Sequence, residues 1–85
     1  MSLPDIQSQI KSLQEQRMHA SSEAGRIEIS RQMDELYGKA GDLRAAEIDP
    51  TFAPGMGGNS LTTMATRRQF IDELKLSMTS NQEKK

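Results

Sequence analysis

Eighty-five residues allow one small domain with a thin core, because a chain near this size buries only about 60% of the surface its unfolded form exposes. Hydrophobic residues make up 34%, the aromatics are Phe52, Phe70 and Tyr37 alone, and cysteine is absent. That excludes disulfides and thiolate-metal reinforcement, and makes self-association or docking on a partner the expected remedy. Eleven basic against twelve acidic side chains leave a net charge of -1, which lacks the footprint of a general nucleic-acid binder.

No apolar run approaches the roughly 20 residues that cross a bilayer, and the N-terminus lacks the basic start and apolar centre of a secretory signal. The expectation is a cytoplasmic protein with no membrane contact.

Pro4 and Asp5 mark the opening of a first helix, since proline is tolerated in the first turn and an early carboxylate meets the positive end of the helix dipole. Ile6, Ile10, Leu13, Ala20, Ala24 and Ile27 share one stripe on a helical wheel. Ile29, Met33, Leu36, Ala40 and Leu43 form a second, rotated by roughly 100 to 180° from the first. One straight helix cannot turn both stripes to one neighbour.

The chain therefore folds back as an antiparallel helical hairpin, or continues as one long helix with opposite faces on different partners. His19 to Gly25 is the weak stretch where a turn would fall, with Ser21 or Ser22 available as a cap. The hairpin is the favoured reading. Gly38 and Gly41 lie inside the second helical segment, where two tolerated glycines are the plainer interpretation and close approach of another helix the alternative.

Asp49 and Pro50 end that segment, because the residue before proline is pushed from helical angles. Residues 1–48 thus read as a helical hairpin or coiled-coil helix, and 49–61 as a flexible Gly/Pro-rich linker in which Phe52 and Met56 are the apolar groups able to pin it down. A third amphipathic helix follows over 62–79, capped by Thr62 or Thr63, with Met64, Phe70, Ile71, Leu74 and Met78 on its apolar face. Residues 80–85 read as a frayed tail.

Nothing in the chain assembles into a catalytic set. His19 is the single histidine, so neither a His-pair metal site nor a Cys–His nucleophile can form within one chain. No metal and no cofactor is expected. Glu15, Glu23, Glu28, Asp34, Glu35 and Asp42 read as the wet faces of helices. Gly55 to Ser60 lacks the Gly-Lys-Ser/Thr ending and the preceding strand of a phosphate loop.

Arg67 and Arg68 near the start of the third helix are weak candidates for a phosphate or carboxylate contact, against the plainer reading of an Arg68 to Asp72 pair. Most of the six methionines read as core filling near the apolar stripes, although methionine also suits adaptable docking surfaces. The pattern points to a small non-enzymatic interaction protein: an adaptor, a chaperone-like subunit or an assembly component. Ile10, Leu13, Ile29, Met33, Leu36, Phe70, Ile71, Leu74 and Met78 are its candidate partner-binding residues, the partner being a protein or a second copy. The alternative is a dimeric nucleic-acid-associated regulator working through Arg67 and Arg68, which the charge balance makes the weaker reading.

Overall fold

The computed structural model describes residues 2–83, with side chains through Met78, and within them the chain is all-α. Three helices follow in order: α1 (Leu3–Met18), α2 (Glu23–Ile48) and α3 (Leu61–Glu83). Helices α1 and α2 pack together as the hairpin, which resolves the choice between a turn and one uninterrupted helix. Two compact units divide the chain, Met1–Lys39 and Ala40–Lys85, and α2 contributes residues to each.

In the first unit α1 starts on a reciprocal cap. The Asp5 amide donates to Ser2 Oγ, and the Ser2 amide donates to the Asp5 carboxylate, both at 3.4 Å, so two of the orphan donors at a helix start are satisfied. Pro4 occupies the first turn, where its missing N–H costs nothing. Asp5 thus acts through the cap as well as through the dipole, and the helix opens on Leu3.

The helix ends at Met18, and the His19 amide donates to the carbonyls of Glu15 and Gln16 at 3.3 and 3.2 Å. Residues 19–22 make the turn. Ser22 rather than Ser21 caps α2, its Oγ accepting from the Gly25 amide at 3.1 Å, while Arg26 donates to the Ala20 carbonyl at 3.3 Å. A bond of 3.1 Å from Arg17 Nη1 to Ser30 Oγ then ties the end of α1 to the start of α2.

The core of this unit is built at helical spacing. Ile6 and Ile10 are fully buried, with Gln14 next in the same row, each side chain contributing about 1.5–3 kcal/mol if apolar. Met33, Leu36 and Tyr37 are buried on α2. Burial pushes the Tyr37 hydroxyl above its ordinary pKa; the positive charge of Arg17 opposes this and the negative charge of Asp34 adds to it.

Ala24 is exposed and Ile27 is 63% exposed, so the first stripe does not run beyond the turn. Residues 19–22 leave helical geometry, and a phase of 100° per residue cannot be carried across them. The outer face of α2 holds Arg31 between Glu28 and Glu35, at 2.6 and 2.7 Å. Hydrogen bonds from Arg31 and Gln32, together with the Arg31 charge, hold Glu28 below the usual carboxylate range.

In the second unit Ala40, Gly41 and Ala45 are buried on α2, and Thr63, Leu74 and Met78 on α3. At Gly41 side chains of α3 crowd the backbone of α2. A Cβ placed there would stand 2.6 Å from Ile71 Cδ1 and 2.9 Å from Arg67 Cγ, so the expectation of a merely tolerated glycine fails at this position. Beside it Arg67 Nε donates to Asp42 Oδ1 at 2.8 Å, which takes Asp42 out of the set of simply solvated carboxylates. The Arg44 guanidinium lies 5.9 Å from the centre of the Phe70 ring.

The segment between α2 and α3 is organised by polar side chains. Asn59 Oδ1 accepts from the Ala53 amide at 2.9 Å, and Asn59 Nδ2 donates to the carbonyls of Ala53 and Met56 at 2.8 and 3.1 Å. Gly55 takes a φ of +77°, a conformation that only glycine adopts without strain. Asp49 accepts from the amide and hydroxyl of Thr51 and, through Oδ2, from the Thr63 hydroxyl at 2.8 Å.

Ser60, not Thr62 or Thr63, caps α3: its Oγ accepts from the Thr63 amide at 3.1 Å. Thr63 is instead buried, its hydroxyl bonded to both Ser60 and Asp49. The backbone of α3 stays helical through Glu83, so of the expected tail only Lys84 and Lys85 lie outside the described residues.

Candidate interaction surface

Of the residues singled out as partner contacts, Ile10, Met33, Leu36, Leu74 and Met78 are buried within the chain itself. Leu13, Ile29, Phe70 and Ile71 are half-buried. Within the second stripe Met33, Leu36 and Ala40 are buried and Ile29 is half-buried, but Leu43, expected on the same face, is 38% exposed.

The apolar groups left in water are different ones. In the second unit Ile48 closes α2, Met56 lies on the connecting loop, Leu61 opens α3 and Met64 follows one turn later. Their exposures are 44%, 66%, 88% and 38%. Single exposed apolar residues are ordinary; these four sit at the two helix ends and on the loop that joins them. Leu76, 68% exposed, continues the outward side of α3. In the first unit Met18 and Ile27 flank the turn, at 70% and 63%.

Of the methionines, Met33 and Met78 fill the core, whereas Met18 and Met56 are exposed. A periodicity reading selects residues that repeat with the helix, and most of those are covered by the fold. Leu61 and Met56 escape it because one is a first helical residue and the other is in a loop.

Two open grooves flank the hairpin. One, of about 380 Å³, has Leu13 and Leu36 among Gln9, Ser12, Gln16 and Gln32, with Glu35 and Lys39 completing it. The other, of about 520 Å³, is lined chiefly by charged groups, among them Arg17, Arg26, Arg31 and Asp34, with Ile27. Among the described residues no three His, Cys, Asp or Glu side chains come together to hold a metal, and no buried side-chain nitrogen or oxygen lacks a hydrogen-bond partner. No helix among them is long and apolar enough to cross a membrane.

Arg67 and Arg68 part company. Arg67 is half-buried and holds Asp42, so the carboxylate it meets belongs to its own chain. Arg68 is exposed, and among the described residues it forms no ion pair with Asp72, contrary to the pairing expected from their spacing. A phosphate clamp of two adjacent arginines is therefore not assembled here. No protein-family model matches the chain, and neither a curated protein nor a solved structure matches it significantly.

Proposed function

We propose that this chain is a small non-enzymatic interaction protein of the cytoplasm, an adaptor, chaperone-like subunit or assembly component, whose working surface is the exposed apolar group around the loop of the second unit. The supporting observation is the exposure of Ile48, Met56, Leu61 and Met64 on hydrogen-bonded structure. Apolar side chains held on an ordered loop and a capped helix bind with less loss of conformational entropy than the same groups on a floppy tether. The net charge of -1 and the engagement of Arg67 by Asp42 weigh against the nucleic-acid reading.

The test compares the tagged chain with an Ile48→Ser, Met56→Ser variant. On this reading the wild type carries a defined protein through purification, either another protein or a second copy, and the variant loses it while keeping its helical circular dichroism. Unchanged recovery in the variant, or no associated protein in either, refutes the reading.

A further inference from the structure

The outward side of α3 carries a pattern that is complementary to itself. At about 100° per residue, Met64, Ala65, Arg68, Asp72, Lys75 and Leu76 all fall within about 60° of the line through Leu61. All are exposed, whereas the buried Thr63, Leu74 and Met78 lie about 100 to 160° away. Met64 and Leu76 stand six residues, roughly 9 Å, to either side of residue 70, and Arg68 and Asp72 stand two residues to either side. Among the described residues neither Arg68 nor Asp72 has an ion-pair partner.

We propose that α3 pairs antiparallel with the α3 of a second copy about a two-fold axis at residue 70, which sets Arg68 against Asp72 and Met64 against Leu76 of the second copy, each twice. The proposal rests on the interaction-protein reading and names one partner for it.

The symmetry decides the occupant. A two-fold contact presents one patch to itself, so residue i meets residue j and j meets i. In the antiparallel direction Arg68 with Asp72 and Met64 with Leu76 satisfy that condition, and Lys75 falls against Ala65, a small uncharged residue that imposes no like-charge contact. In the parallel direction the same face would place Arg68 on Arg68 and Asp72 on Asp72. Helix pairs are oriented by charge in this way, since like-charge juxtaposition is the penalty that excludes the wrong register. One helix face lies at the small end of specific interfaces, so the dimer is concentration-dependent.

Sedimentation equilibrium of the full chain tests this with Arg68→Asp, Asp72→Arg and the double exchange. Both positions are exposed, so the variants keep their helical circular dichroism. Each single variant places like charges at both sites and weakens the dimer about tenfold, whereas the double exchange restores it. An equimolar mixture of the two single variants forms a heterodimer, because every apposed pair in it is again of opposite charge. Leu76→Ser weakens self-association without altering this charge rule.

A chain that stays monomeric at roughly 1 mM overturns the proposal. So does a dimer indifferent to both single reversals, or one that neither the mixture nor the double exchange recovers. If the chain is monomeric yet still retains a different protein that Ile48→Ser, Met56→Ser releases, the pairing fails and the broader reading stands; loss of both ends both.

Discussion

Ile71 packs so closely over Gly41 that its Cδ1 stands 2.6 Å from the place a Cβ would occupy. A Cβ at that distance cannot be accommodated unless the side chains of Ile71 and Arg67 shift. Gly41→Ala gains helix propensity of about 1 kcal/mol but forces Ile71 and Arg67 aside, at about 1–3 kcal/mol. The expected result is net destabilisation and a lower Tm. Gly58→Ala is the control: nothing lies within 4 Å of its Cβ position, and the substitution is neutral or slightly stabilising. Thermal melts of the two variants check the contrast.

Ile10→Ala should cost about 2–5 kcal/mol, since the side chain is fully buried and its removal leaves a cavity. Ile27→Ala, at a residue 63% exposed, should move stability by less than about 0.5 kcal/mol. Leu36→Asp places a charge in the same core as Ile10 and should abolish the folded state. Urea titrations followed by circular dichroism measure all three, and similar midpoints for the Ile10 and Ile27 variants would refute the hairpin core described above.

Acid should loosen the loop. The Thr51 hydroxyl, the Thr63 hydroxyl and the Thr51 amide, in that order, hold Asp49 below the usual carboxylate range. A folded-state pKa lowered in this way contributes stability that is present above the unfolded value of about 4 and disappears as pH falls through the lowered folded value. Glu28 acts with the same sign. Asp49→Asn should therefore be less stable than wild type near neutral pH and should lose less on going to about pH 3. Denaturation midpoints for both proteins at the two pH values test it, and parallel losses would exclude Asp49 as a source of acid sensitivity.

Asn59→Ala removes three hydrogen bonds to loop backbone and should destabilise by about 1–3 kcal/mol. Amide hydrogen exchange localises the effect: the Ala53 amide, which donates to Asn59, should exchange faster, while amides in the middle of α1 keep their protection. An unchanged rate at Ala53 would show that the side chain is not what secures the loop.

The helices and the hairpin were legible because burial follows a 3.6-residue repeat. Ile6, Ile10, Met33, Leu36 and Ala40 all obey it. Ile27 obeyed it on paper alone, since its phase was extended through residues that are not helical. Gln14 occupies the repeat position after Ile10, yet its polarity kept it from the apolar stripe although the fold buries it.

Ser2 and Ser60 cap their helices through backbone amides three residues on, and several neighbouring Ser and Thr residues carry the same local chemistry. Choosing among them requires the tertiary bond from Thr63 to Asp49. The close approach at Gly41 was likewise hidden, because a residue without a side chain carries no mark of what packs on it. For the candidate surface, helical periodicity picks out mostly covered residues, together with the exposed Leu43 and Met64, and passes over Leu61 and Leu76.

The clasp made by Asn59 takes in both Ala53 and Met56, so the loop is secured as far as Met56 and its tip is the Gly57–Gly58 step. No neighbouring atom lies within 4 Å of the Cβ positions at Gly57 and Gly58. Added length at the tip raises loop-closure entropy only slowly. A foreign peptide grafted there leaves the two flanking helices intact, whereas the same insertion one step later, between Asn59 and Ser60, severs clasp from cap.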